Sequence, residues 1–188
     1  MADLTSEIVK PTGNQARAEP SLAVRESELV ALVELLFFAY RDFTSDPDAI
    51  LAEFQFGRAH HRVLHFVDRY PGLRVADLLD ILKITKQSLA RVLRQLVASG
   101  FIDQRLGEAD RRERRLYSSE TGRKLAHRLL APQIERMREA LRSTHGDTKP
   151  EVVRAFLYAM IEAGERRRVE GLLAEPDAGV ATRGGATR

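Results

Sequence analysis

The sequence predicts a mainly α-helical chain with one small β-hairpin, and three observations carry that expectation. Apolar residues recur at three- and four-residue spacing through most of residues 27–173. Between Val75 and Val97 two short helical stripes are joined by a tight turn, and the second is polar and basic on its outer side. Beyond Gly100, two strand-length pieces flank a charged tip. The order of helices, helix-turn-helix, hairpin and helices is that of a winged helix-turn-helix with additional helices at both ends.

Leu29, Leu32, Val33, Leu36, Tyr40 and Phe43 form the stripe of a first amphipathic helix, about 27–44. Asp46-Pro47 then reads as a fresh start, a carboxylate N-cap before a proline whose missing N–H costs nothing in the first turn. The helix starting there takes in Ile50, Leu51, Phe54 and Phe56. It breaks near Gly57 and continues through Val63, Leu64, Phe66 and Val67 to Pro71-Gly72. A short helix carries Val75, Leu78, Leu79 and Leu82. Thr85 is placed to cap the next, which turns Leu89, Val92, Leu93, Leu96 and Val97 inward and ends at Gly100. Residues 101–106 and 114–118 are the strands, with 107–113 as the tip. Ser119 can cap a long helix whose inward stripe is Leu125, Leu129, Leu130, Ile134, Met137 and Leu141. After a break at Gly146 to Pro150, one last helix runs from Val152 through Ile161 into Glu165-Arg166-Arg167-Arg168. Residues 1–24 and 174–188 read as loose tails. The single domain between them, 25–173, places its winged lobe at about 58–118.

Composition narrows the function. Of 188 residues, 44% are hydrophobic and 30% charged, enough apolar matter for a packed core. Cysteine is absent, which excludes disulfides, thiolate zinc sites, iron–sulfur clusters and a cysteine nucleophile. The longest apolar run, Leu29 to Ala39, is broken by Glu34 and falls short of the roughly 20 residues a bilayer requires. The N-terminus lacks the basic-then-apolar order of a signal peptide, so the expected address is cytoplasmic. Net charge is only +3, yet Lys83 to Arg115 holds nine cations against four anions. The whole positive excess sits in the helix-turn-helix and hairpin, the footprint of a polyanion binder.

The candidate binding residues follow from that placement. A helix in the major groove reads base edges from its exposed N-terminal positions: here Thr85, Lys86, Gln87, Ser88 and Arg91, with Arg94 further along toward phosphates. Gln pairs bidentately with adenine, and Arg or Lys with guanine. At the hairpin tip Arg111, Arg112 and Arg114 have the reach for a narrow minor groove, and Asp110 can orient an arginine. The bland alternatives are a solvated helix face and a surface ion pair. His61 and His65 stand four apart on one helix face beside His60, but a satisfied core or interface histidine is favoured over a metal ligand. No metal and no cofactor is expected. There is no Gly-rich phosphate loop, no Gly-x-Ser-x-Gly elbow and no His-Glu-x-x-His, so an enzyme is not expected either.

Asp110-x-Arg112, Leu116, Ser118-Ser119 and Gly122 match in spacing the wing signature of the MarR (multiple antibiotic resistance regulator) transcription factors. Upstream, Leu82 through Leu96 followed by Gly100-Phe101-Ile102 also resembles that family's helix-turn-helix. The likeness is best over 60–125. Three residues depart from the pattern. Ser118 stands where an apolar strand residue is usual, Ser119 replaces Thr, and Lys83 takes a turn position where Gly is common. The resemblance implies a homodimer on double-stranded DNA, its dimerisation helices at about 27–44 and 120–173, bound to a roughly palindromic site. It further implies release by a small aromatic or anionic effector. By position Phe37, Tyr40, Phe54, Phe56 and His61 can line such a pocket, although ordinary core aromatics are the favoured reading. The expected function is a dimeric, sequence-specific regulator, a repressor by preference, and no membrane is involved. The alternative is an architectural DNA binder without an effector.

Overall fold

The computed structural model describes residues 24–107, 113–144 and 149–174, in two compact units that meet in sequence at Phe38 and Ala39. In chain order the elements are α1 (Glu26–Ala52), α2 (Arg58–Arg69), β1 (Leu73–Arg74), α3 (Val75–Leu82), α4 (Lys86–Ala98), β2 (Ile102–Leu106), β3 (Arg114–Ser118), α5 (Glu120–Ser143), α6 (Pro150–Ala159) and α7 (Ala163–Ala174). The described part of the first unit is the start of α1 and the residues before it, all of them exposed. The second unit holds the core. Its centre is Leu51, Val63, Leu64, Val67, Leu78, Leu89, Leu96, Ile102, Leu116 and Leu129, drawn from the end of α1, α2, α3, α4, β2, β3 and the first half of α5.

The expected restart at Asp46-Pro47 does not occur: α1 runs through Pro47 without a break. A proline inside a helix leaves the carbonyl four residues back without a donor, here that of Phe43. Gln133 of α5, only 8% exposed, turns its Nε2 toward that oxygen at 3.4 Å. Pro47 itself is buried, so the ring contributes apolar area where its missing N–H is compensated.

The sheet has three strands rather than a hairpin alone. β1 pairs antiparallel with β3, Leu73 opposite Leu116, giving the order β1-β3-β2. The β2–β3 register sets Ile102 opposite Ser118 and Leu106 opposite Arg114. Two residues are too few to leave a period-two signature, and β1 exists because β3 offers it an edge. Two helices also differ from expectation. The inward stripe of α5 stops near Gln133, and Ile134 and Met137 are 46% exposed because the core ends beneath them. The last helix is two, parted at Met160 to Glu162, so the charged run 165–168 lies inside α7.

The passage from the sheet into α5 is tightly specified. Ser119 N donates to Phe101 O at 3.1 Å, its hydroxyl donates to Gly100 O at 2.6 Å, and Gly122 N donates to Ser119 Oγ at 3.0 Å. Gly122 lies so close to Phe101 that a β-carbon there would overlap the Phe101 carbonyl oxygen and stand 3.0 Å from its carbon. The serine at 118, in place of an apolar residue, leaves its Oγ buried without a hydrogen-bond partner.

Candidate nucleic-acid interface

The helix-turn-helix is built by local rules. α3 ends on Lys83, whose φ of 50° and ψ of 44° are left-handed. A side chain there is strained by about 1–2 kcal/mol relative to the glycine usual at this turn. Thr85 then caps α4, its Oγ1 accepting from Ser88 N at 3.1 Å while its hydroxyl donates to Ser88 Oγ at 2.9 Å. Leu89, Val92, Leu93 and Leu96 of α4 are buried, which leaves Lys86, Gln87, Arg91 and Arg94 exposed on the other side. Gln87, Ser88, Arg91 and Arg94 together line a shallow depression on that side. Arg94 Nε donates back to Ala90 O at 3.3 Å, which lays its guanidinium along the helix.

Beside α4 stands the hairpin. Gly107 N donates to Glu113 O at 3.1 Å where the strands close toward the tip. Arg114 is exposed at its base, whereas Asp110, Arg111 and Arg112 lie outside the described residues. An apolar groove of about 570 Å³ lies between α3, α4 and the strands, with Lys86, Arg94 and Arg114 among its lining.

Two positioning contacts were not read from the sequence. Arg74 donates to Asp77 (Nη2 to Oδ1, 2.6 Å) and to Glu113 (Nη1 to Oε1, 3.3 Å), tying the base of the wing to the first turn of α3. The hydrogen bond donated to Asp77, then that to Glu113, raises the Arg74 guanidinium further above its ordinary value, and Arg74 in turn holds the Asp77 carboxyl low. The three-residue spacing of Arg74 and Asp77 was a visible signal; the reach to Glu113 was not. The second contact is His60. Its Nδ1 accepts from Gly57 N at 3.1 Å, so in the neutral ring Nε2 carries the proton and donates to Gln95 Oε1 of α4 at 2.8 Å. Both nitrogens are engaged within the fold.

The aromatic set divides. Phe54 and Phe56 meet Phe101 edge-on at 5.5 and 5.4 Å, and Phe56 stacks on His60 at 4.6 Å. Tyr40 is exposed beneath the Arg58 guanidinium at 5.5 Å, and Phe37 is 68% exposed in the first unit. His61 is half-buried, and burial pulls its pKa below the ordinary value, as it does that of His65.

These two histidines give a pH prediction. Both pKa values are lower folded than unfolded, so the unfolded chain takes up more protons as pH drops below about 6.5. Their contribution to stability is complete above that pH and is lost as pH falls through the folded values. The melting temperature should decrease by roughly a few degrees between pH 7.5 and 5.5, and the decrease should shrink in His61→Asn/His65→Asn. An equal decrease in the double variant would assign the acid sensitivity elsewhere.

Comparison with known proteins agrees with this geometry. Residues 54–113 match a family model described as MarR family. The chain is also 43% identical over 157 residues to the HTH-type transcriptional regulator PetP of Rhodobacter capsulatus, covering 82% of this chain and 92% of that protein. The chain belongs to the MarR family. MarR proteins are DNA-binding transcriptional regulators rather than enzymes. The fold has matching solved structures. A MarR-family transcriptional regulator from Silicibacter pomeroyi is 17% identical with a TM-score of 0.57, covering 81% of this chain and 99% of that one. The transcriptional repressor CouR, solved on a 23-mer DNA duplex, is 23% identical with a TM-score of 0.55, covering 73% and 97%. Of the departures from the MarR pattern, Lys83 gives a left-handed turn residue and Ser118 a buried hydroxyl without a hydrogen-bond partner.

Proposed function

We propose that this MarR-family chain is a dimeric, sequence-specific DNA-binding regulator, a repressor released from a roughly palindromic operator by a small aromatic or anionic effector. The observation that carries the DNA contact is α4, whose one face is entirely core while the other presents Lys86, Gln87, Ser88, Arg91 and Arg94 beside a hairpin. Thr85 fixes where the first turn begins. The wing is assigned to Asp110, Arg111, Arg112 and Arg114, which adjoin that face in sequence and supply the cations for a narrow groove. Dimerism is supported by apolar side chains that one chain leaves uncovered: Leu29, Val33 and Leu36 on α1, Phe156 and Leu157 on α6, and Met160 just after it. The effector is assigned by sequence position to Tyr40, Phe54, Phe56 and the half-buried His61 of the second unit, Phe37 belonging to the first. Among the described residues no helix is long and apolar enough to cross a membrane.

Selection of random duplex DNA on the full-length protein tests the reading. An inverted repeat with half-sites about one helical turn apart is expected, bound roughly 10³-fold or more above scrambled DNA. Enrichment of A/T-rich or bendable DNA without a motif would replace it with the architectural alternative. No enrichment at low salt would remove DNA binding altogether.

A further inference from the structure

Helix α7 has no buried side chain, yet it is fastened to the helix-turn-helix at several points. Lys83, the strained turn residue, places its Nζ 2.9 Å from Glu165 Oε1 of α7. The carbonyls of the last turn of α3 have no partner within the helix. Two arginines take two of them. Arg168 Nη1 donates to Asp80 O at 2.9 Å, its Nη2 donating to Asp77 O at 3.3 Å, and Arg62 Nη2 donates to Leu82 O at 3.1 Å. A guanidinium at a helix C-terminus also meets the negative end of the helix dipole. Glu165 stands 3.6 Å from Arg168, so Lys83, Glu165 and Arg168 form one chain of charges. At the end of α2, Tyr70 Oη donates to Leu172 O at 2.8 Å. Toward α6, Arg166 donates to Ala159 O at 2.7 Å and Ile161 O at 2.9 Å, closing the α6–α7 corner.

Exposed ion pairs add little to stability. The arrangement is better explained by where it acts, on the turn and the C-terminal end of α3, which together set the direction of α4. We propose that Glu165 and Arg168 are positioning residues for DNA recognition: through Lys83 and the α3 carbonyls they hold the angle at which α4 meets the major groove. The inference rests on the DNA-binding reading above and deepens it. Base-edge contacts tolerate little misplacement, whereas sequence-independent attraction to phosphates depends on charge and hardly on angle. Loss of the brace therefore lowers affinity for the selected site and spares affinity for scrambled DNA.

Glu165→Gln makes the test sharp because charge and positioning pull in opposite directions. Removing a carboxylate raises net charge by one and by electrostatics alone tightens binding to every duplex. Positioning requires weaker binding to the selected site. With the full-length protein at fixed salt, fluorescence anisotropy should show Glu165→Gln and Arg168→Met losing about five- to twentyfold in the ratio of selected-site to scrambled affinity. Lys83→Gly, which relieves the left-handed strain, should lose the same ratio while melting no lower than the parent. The reversed pair Lys83→Glu/Glu165→Lys should recover most of it. Amide exchange supplies a readout without DNA: Lys83 N, which donates to Leu79 O at 2.9 Å, should exchange at least about tenfold faster in Glu165→Gln and Arg168→Met. Unchanged exchange overturns the brace whether or not the protein prefers any DNA. Faster exchange with an unchanged affinity ratio overturns the positioning role. A parent protein that selects no site would instead count against the DNA-binding reading, with exchange still deciding the brace.

Discussion

Gly122→Ala is expected to lower stability by about 3 kcal/mol, more than most single substitutions outside the hydrophobic core. The new methyl would overlap the Phe101 carbonyl oxygen, a backbone atom that cannot rotate away. Relief requires separating the start of α5 from β2, and three hydrogen bonds hold that junction: Ser119 N to Phe101 O, Ser119 Oγ to Gly100 O and Gly122 N to Ser119 Oγ. Gly171, on α7, is the matched control. Nothing lies within 4 Å of a β-carbon built there, and replacing a helical glycine with alanine gains about 1 kcal/mol. Urea denaturation of the two variants should therefore move the midpoint in opposite directions. Equal midpoints would mean that the junction is looser than its geometry. Because the sheet and α5 meet at Gly122, the wing should also suffer, and Gly122→Ala should bind DNA poorly even at temperatures where it stays folded.

Gln87→Ala is expected to relax base preference at one position in each half-site, at a cost of about 1–3 kcal/mol there, and to leave the others unchanged. Gln87 is exposed in the first turn of α4, beside Ser88 and Arg91, with no core contact whose loss would blur the result. A carboxamide there can both donate to and accept from an adenine edge, and a methyl can do neither. Selection of random DNA with the variant, compared position by position with the parent, measures the effect. If the profile is untouched, α4 does not read bases through its first turn. A uniform loss at every position would mark Gln87 as a phosphate contact instead.

Both variants fall at sites that the sequence marked, for a common reason. Each lies in the first turn of a helix whose cap spans only a few residues. Thr85 caps α4 through Ser88 and Ser119 caps α5 through Gly122, each bond spanning three residues, so both caps were visible in the residue order. The same holds for the limits of α3 and β3, bounded by turn residues, and for Gly100, left-handed at the end of α4. The MarR wing signature worked because Gly122 and Ser119 sit at fixed distances from the strand that they adjoin. Charge in the window 83–115 singled out α4 and the hairpin as the candidate interface, two elements that are neighbours in sequence.

What residue order could not decide were contacts made across long loops of chain. Pro47 broke the expected helix on local grounds. The side chain that meets the carbonyl freed by Pro47 is Gln133, 90 residues beyond Phe43. The two residues of β1 are a strand only because Leu116 and Arg115 come to lie beside them. The apolar stripe on α5 is continuous in sequence, but burial ends near Gln133 because the other elements end there. Helix periodicity reports which face is apolar and not what covers it. Lys83 was recognised as a departure from glycine, a fact of sequence, whereas its partner Glu165 lies 82 residues on and was brought there by the fold. The sequence by itself determined the caps at Thr85 and Ser119, the limits of α3 and β3 and the exposed face of α4, because those depend on interactions within one or two turns. Only tertiary structure decided which breaks were overridden and which side chain meets Lys83, because the partners are far apart along the chain and no local pattern encodes them.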